Sequence, residues 1–435
     1  MQAREPARSP GVAAAEVEDA LQPVVHRLPF QVQLACRLRR VAAGVQPDRQ
    51  GVQQLRVPLF VVLENGSQRP ADKVAASGHR LYEALLAAAL PSGVASGARL
   101  IIVPSALVAA LPFEALVVRA EPVPRDFKSL VFVLDQREVV YAPSGPVLAL
   151  MSHSGARGRP GDALVMGDPL YGRAPVGEVR SGSPPTADGP ERLPGTRDEA
   201  LDLSSRLLAA EHETDADIET AMAPARATDS IALDLPGLRL VLGTAATPGA
   251  LRGDLTRFAL IHCAAHSRVD LQDARRTGLW LAPGVDDDGI VTLGDILEMS
   301  LDADLAVLSA CETGRGAERT SEGTQSLARA FLYAGARAVV CSLWPVDDHE
   351  TARTMTSFYD GLLSRNLTAS AALREARLAI RRAPAAPDAF RGTGRGERLP
   401  GVKPPASPGA GHPYFWAAFT YIGPPDLRPL AAPAR

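Results

Sequence analysis

Four short apolar runs constrain this chain more than anything else in it: "LRLVLG" (238–243), "FALIHCAAH" (258–266), "ADLAVLSAC" (303–311) and "ARAVVCSLW" (336–344). None alternates apolar with polar, so a strand made from any of them is apolar on both faces. Such strands must be covered on both sides, the condition of a mostly parallel sheet between helices. A fifth run, "ALVMGDP" (163–169), has the same character. Stretches with apolar residues at helical spacing lie between and after the runs: "TRDEALDLSSRLLAA", in which Thr196 reads as the N-cap, "SEGTQSLARAFLYAG" with Gly335 as its stop, "DDHETARTMTSFYDGLLS" and "TASAALREARLAIRRA". The pattern predicts an α/β three-layer sandwich. Its strands ending at Gly167, His266, Cys311 and Trp344 should be adjacent or nearly so. The part from about Leu55 to Ser144 is expected to form a smaller β-containing layer. "YFWAAFTYIG" reads as a final strand.

Length and composition narrow the class. The chain has 435 residues and is 46% hydrophobic, enough for a large core. A formal net charge of −3 argues against nucleic-acid binding by bulk electrostatics. Cys36, Cys263, Cys311 and Cys341 are too few for a disulfide scaffold of this size, so a reducing, cytoplasmic setting is expected. No apolar run reaches 18 residues, and "MQAREPARSPG" lacks the core of a signal peptide. Residues 1–50 read as poorly ordered, 51–424 as one domain with an N-terminal subregion at 51–160 and a core at 161–424, and 425–435 as a tail. Within the core, 383–413 is a low-complexity insertion rich in Pro, Gly and Arg.

The chemistry concentrates at two strand ends. Sites in open α/β sheets lie beyond the carboxyl ends of the strands. There, one run ends on His266 and another on Cys311. If their strands are parallel neighbours, about 4.8 Å apart, imidazole and thiol meet above the sheet. A histidine can supply base and acid, and a thiolate can attack a carbonyl. Taken alone, Cys311 reads equally well as core, since most buried thiols are inert. Cys263 and Cys341, inside apolar runs, are read as core. His262, His266 and Cys263 do not make a zinc site on a strand, where positions i and i+4 lie about 13 Å apart. "GRG" at 314–316 lacks the Gly-Lys-Ser/Thr of a phosphate loop. The arginines of 381–397 read as solvated linker.

The ordered pieces "LPFEAL", "VVYAPS", "ALVMGDP", "IHCAAHS", "LWLAP", "GIVTLGDILEM", "LAVLSACETGRG", "GTQSLARAFLYAGARAVVCSLWPVDD" and "HPYFWAAFTYIG" resemble the CHAT domain, a bacterial branch of the caspase-like cysteine peptidases of clan CD. They span roughly Leu55 to Pro424. His266 precedes Cys311 by 45 residues, close to the spacing of about 50 in caspases. The resemblance implies a catalytic dyad of His266 and Cys311. It also implies an oxyanion held by the backbone N–H groups of Ser267 and Cys311. The family usually has Gly after this histidine. Ser267 can donate its amide equally well unless the turn demands positive φ. The segment "CSLWPVDD" would shape the pocket for the residue before the scissile bond, through Ser342, Trp344, Asp347 and Asp348, with Asp168 joining them. An acidic pocket favours Arg or Lys there. For Asp347 and Asp348, helix capping is the competing reading.

The function this implies is a regulated cysteine endopeptidase acting through a thioester, with no cofactor and no metal. Its partners would be a protein or peptide substrate and a regulatory protein, with no nucleic acid and no membrane. Such domains often follow helical repeats that sense a partner. No such repeats occur in this chain, so the regulator is expected on another polypeptide or on upstream sequence. The alternative is a catalytically silent module with the same fold, a scaffold in a bacterial signalling or defence system. A nucleotide-binding α/β domain is a third, weaker reading.

Overall fold

The computed structural model describes residues 71–87, 89–90, 97–104, 108–119, 124, 126–153, 162–171, 190–209, 214–268, 277–285, 287–310, 316–319, 323–346, 348–383 and 411–429. The strand expected from Leu55, the segment 1–50, most of 383–413, and Cys36, Cys311 and Asp347 lie outside them.

In chain order the strands are β1 (Leu100–Ile102), β2 (Val117–Arg119), β3 (Val131–Phe132), β4 (Val139–Tyr141), β5 (Asp162–Pro169), β6 (Ile231–Leu235), β7 (Leu238–Gly243) and β8 (Phe258–Ala264). Then follow β9 (His266–Arg268), β10 (Gly278–Trp280), β11 (Ile290–Thr292), β12 (Leu305–Ser309), β13 (Gly316–Arg319), β14 (Gly323–Ser326), β15 (Val339–Ser342) and β16 (Phe419–Ile422). The helices that build the layers are α1 (Ala71–Tyr82), α2 (Pro194–Leu208), α3 (Asp215–Ala227), α4 (Leu327–Ala334), α5 (Asp348–Tyr359) and α6 (Ala369–Arg382).

The main sheet has nine strands in the order β1-β4-β16-β15-β12-β8-β5-β7-β6. Its centre, β15-β12-β8-β5-β7, is parallel throughout. β16 runs antiparallel to β15, and β6 antiparallel to β7. The strands leading to Trp344, Cys311, His266 and Gly167 therefore stand side by side, as the apolar runs predict.

Side-chain alternation along these strands splits each run between two layers. Val165, Leu240, Leu260, Val307 and Val340 face one core with α2 and α5, through Leu203, Met355 and Phe358. Leu164, Val241, Ile261, Leu308 and Val339 face the other, against Leu327 and Phe331 of α4. That second core also takes Leu279 and Val291 from the three-stranded sheet β11-β10-β9.

Several boundaries differ from those the sequence suggests. The run "FALIHCAAH" is two strands: β8 stops at Ala264, and His266 opens β9, where it pairs with Trp280. Helix α2 starts at Pro194, a residue suited to the first helical position, so Thr196 is inside the helix. Its hydroxyl instead donates to Leu193 O (2.6 Å) and accepts from the Asp168 N–H (2.9 Å). Helix α4 is shorter than its pattern, because Gly323–Ser326 pairs with Gly316–Arg319 as a hairpin before Ser326 caps the helix. "YFWAAFTYIG" opens with a helical turn, Pro413–Trp416, and only then becomes β16.

The N-terminal part adds β1 and β4 to the main sheet and keeps only the small sheet β2-β3 beside it, and α6 packs across this part. Arg374, Arg377 and Arg381 recur at helical spacing on one face. Arg377 reaches Glu114 (2.7 Å) and the Phe419 carbonyl, and Glu114 also accepts from Tyr141 Oη (2.7 Å). Arg374 donates to the Leu134 carbonyl (3.2 Å) and Arg381 to the Leu130 carbonyl (2.8 Å). Arg381, expected in a solvated linker, is thus a buried staple, because its helix carries it inward onto the Leu130 carbonyl and Asp135.

Candidate active site

Strand β8 leads to His266 and β12 leads to position 311. The two are parallel neighbours in register, with Leu305 opposite Leu260 and Ser309 opposite Ala264. Each chain thus leaves the sheet at the same edge and at the same height. His266 comes two residues after Ala264, and Cys311 two residues after Ser309 in the sequence.

His266 is gripped from two sides. Its backbone N–H donates to Tyr171 Oη (2.9 Å), and the two rings lie 5.0 Å apart between centroids. Its Nε2 lies 2.7 Å from the Glu191 carbonyl oxygen. A carbonyl only accepts, so Nε2 carries the proton, and in the neutral ring Nδ1 holds the lone pair. His266 as a whole is only 7% exposed. A neutral imidazole so fixed can take a proton at Nδ1, and the resulting imidazolium keeps its Nε2 bond.

Ser267 lies in β9 opposite Leu279. Among the described residues the non-glycine residues with positive φ are Asp168 and Asn366, so Ser267 has ordinary backbone geometry and serine stands there without strain.

The other expected site residues follow the C-terminal ends of β15 and β5. Ser342 is buried, and its hydroxyl donates to the Ala310 carbonyl (2.9 Å), the last described carbonyl before position 311. Trp344 is fully buried in the core, and its Nε1 donates to the Tyr414 carbonyl (3.0 Å). Asp348 opens α5 and is buried, and its carboxylate accepts the Gly195 N–H (2.6 Å) at the start of α2. Its capping therefore serves a neighbouring helix. Asp168 has no exposed surface and sits at φ 52°, where β5 loses register with β7. Its two oxygens are taken by Arg192 Nε and Nη2, both at 2.7 Å, and Arg197 Nη1 adds a contact at 3.2 Å. The Arg192 guanidinium is held protonated all the more firmly by this carboxylate.

Sequence reasoning did not single out Tyr171, Glu191 or Arg192. Glu191 acts through a carbonyl, which every residue has, so no side-chain pattern could mark it. Tyr171, three residues after Asp168 in "GDPLYG", was the one legible hint.

His262 and Cys263 point to opposite faces of the sheet. His262 Nδ1 lies 2.8 Å from Tyr359 Oη, and its Nε2 lies 3.0 Å from Glu199 Oε1. Cys263 and Cys341 are enclosed in the other core, and burial pushes both thiols up to about 12. Both therefore stay protonated and unreactive at neutral pH. Among the described residues no group of three or more His, Cys, Asp or Glu is placed to hold a metal ion, and no helix is long and apolar enough to cross a membrane.

A mostly parallel sheet between helical layers, with smaller sheets beside it, is the architecture of a caspase-like α/β protein. The sequence model of the CHAT domain matches residues 75–424, and the chain belongs to that family. Tetratricopeptide repeat protein 28 of Mus musculus is 33% identical over 134 residues, which are 31% of this chain and 4% of that protein. The Homo sapiens protein of the same name is 32% identical over the same length, again 31% of this chain and 4% of that one. The chain thus spans a small fraction of these relatives. Among solved structures, the Arg-specific cysteine proteinase gingipain R aligns with a TM-score of 0.40 and 12% identity, over 84% of this chain and 70% of that one. The Saccharomyces cerevisiae separase in its securin complex aligns with a TM-score of 0.39 and 13% identity, over 75% of this chain and 16% of that one.

Proposed function

We propose that the protein is a cysteine endopeptidase whose dyad is His266 and Cys311. The observation that supports this reading is the in-register parallel pairing of β8 with β12, whose last residues, Ala264 and Ser309, lie opposite one another two residues before His266 and Cys311 in the sequence. His266 at Nδ1 takes the thiol proton, and the Cys311 sulfur attacks the scissile carbonyl carbon. The oxyanion accepts from the N–H groups of Ser267 and Cys311. As the C–N bond breaks, the imidazolium returns its proton to the leaving amine. Water then gives a proton to His266 and attacks the thioester, and the C–S bond breaks to release the acid and the thiol.

The substrate is a protein or peptide. The segment 342–348 borders the pocket for the residue before the cut. Ser342 and Trp344 act from within, the first by gripping the Ala310 carbonyl, the second by filling the core beneath. Asp168 and Asp348 already spend their charge on protein donors. Asp347 is therefore the acid left to select Arg or Lys. A regulatory protein partner switches the enzyme on. The competing reading is a silent scaffold, and the presence of both dyad residues favours the enzyme.

Labelling with an acyloxymethylketone carrying Arg, followed by peptide mapping, tests this. Wild type should be marked at Cys311. Cys311→Ala should lose the label, and His266→Ala should lose nearly all of it. Cys263→Ser and Cys341→Ser should keep it. Labelling at Cys341, or substrate cleavage by partner-activated Cys311→Ala at the wild-type rate, would show that the mechanism is wrong.

A further inference from the structure

The bond from His266 Nε2 to the Glu191 carbonyl decides which ring nitrogen is the base, yet Glu191 belongs to a stretch of irregular backbone, 190–193, that leads into α2. A lone loop carbonyl is a poor anchor, because its position costs backbone entropy to hold. Two restraints follow it: Leu193, whose carbonyl accepts from Thr196 Oγ1, and Arg192, one residue further on. Arg192 presents its Nε and Nη2 to both oxygens of Asp168, each at 2.7 Å. This two-pronged geometry is directional as well as strong, and it restrains where the backbone that carries the arginine can lie.

Asp168 is itself immobile. It is fully buried at the end of β5, it holds a left-handed backbone that only a few residue types tolerate, and its own N–H donates to Thr196 Oγ1. Arg197 Nη1 reaches the same carboxylate from the first turn of α2, so Asp168 meets the segment 192–197 at both ends. Gly167 beside it leaves no clearance, since a Cβ there would lie 2.6 Å from the Thr196 carbonyl oxygen. The exit of β5 therefore grips His266 twice. Tyr171 holds its backbone N–H directly, and Asp168 holds its ring through Arg192 and the Glu191 carbonyl.

We propose that Asp168 and Arg192 are positioning residues for His266, a clamp that keeps the Glu191 carbonyl on Nε2–H and so keeps the ring in the tautomer with its lone pair on Nδ1. This rests on the reading of His266 as the base. The clamp touches no substrate. Its loss should lower kcat by roughly 10- to 100-fold and leave KM nearly unchanged, as for the loss of part of a general-base contribution.

The test reads the ring first and activity second. In the full chain with ¹⁵N-labelled histidine, His266 is assigned by the His266→Gln variant, and its nitrogen shifts report the tautomer without any substrate. Wild type should show Nε2 protonated and Nδ1 unprotonated. Arg192→Ala and Arg192→Gln, at a side chain 40% exposed, should both move His266 toward a mixture of tautomers. His262, held by Tyr359 and Glu199, should keep its shifts. A wild-type His266 pattern in both variants would overturn the clamp. Alkylation of Cys311 by iodoacetamide, run in parallel, separates the two ideas. If wild type is never alkylated there but the tautomer responds to Arg192, the peptidase reading fails and the clamp stands. If Cys311 is alkylated and the tautomer ignores Arg192, the reverse holds.

Discussion

His412 shows how one residue's surroundings set a property of the whole molecule. It is 1% exposed, stacks edge-on against Phe127, and its Nδ1 accepts the Tyr414 N–H at the start of a helical turn. Burial pushes it down to about 4 from 6.5. The unfolded chain thus binds a proton that the native ring refuses. Its contribution is full above about pH 6.5 and is lost as the pH falls toward 4, by roughly 3 kcal/mol in all. His412→Asn keeps a capping oxygen and removes the titration. Urea midpoints should therefore fall less between pH 7 and 4.5 in this variant than in wild type, and equal falls would show that another group dominates. At the same scale, Asp347→Ala should weaken the preference for Arg or Lys before the cut more than it slows an optimal substrate. Peptide-library cleavage measures both, and an unchanged preference removes the acidic pocket.

The elements divide between those legible in local pattern and those shaped by neighbours. Helix α6 reads directly: Thr368 caps it through the Ala371 N–H, and its apolar residues recur at helical spacing. Helix α4 stops where expected, at Gly335 with φ 121°. An added Cβ there would collide with the Leu301 carbonyl. Gly335→Ala should cost more than about 1 kcal/mol through both effects, read as a lower urea midpoint. An unchanged midpoint would mean that the helix end can rearrange. The start of the same helix was not legible. The residues before Ser326 are polar and fit a helix or a hairpin, and pairing with Gly316–Arg319 selects the hairpin. The break between β8 and β9 is of the same kind. "FALIHCAAH" looks like one strand because its composition is uniform, and pairing of His266 with Trp280 in a second sheet ends the first.

At the scale of the molecule, the expected insertion 383–413 overlaps packed residues at its C-terminal end. Gly411 to Pro413 belong to the packed body, where the Gly411 carbonyl accepts from Trp416 Nε1 (2.9 Å) and His412 caps the turn. Deleting 384–410 and retaining Gly411 onward should leave Tm nearly unchanged, since that stretch is too poor in apolar residues to offset the entropy of ordering. A loss of many degrees would show that the segment docks on the core. The sequence by itself determined the parallel core, because strands apolar on both faces admit no other cover. It also marked the residues at two strand ends, because reactive side chains stand out from apolar runs. Only the tertiary structure decided what those residues meet. The Glu191 carbonyl on His266, the Arg192 guanidinium on Asp168 and the Gly195 amide on Asp348 come from segments 75, 24 and 153 residues away. Backbone donors and acceptors are the same at every position, so no spacing in the chain could announce which of them a folded loop would bring to the site.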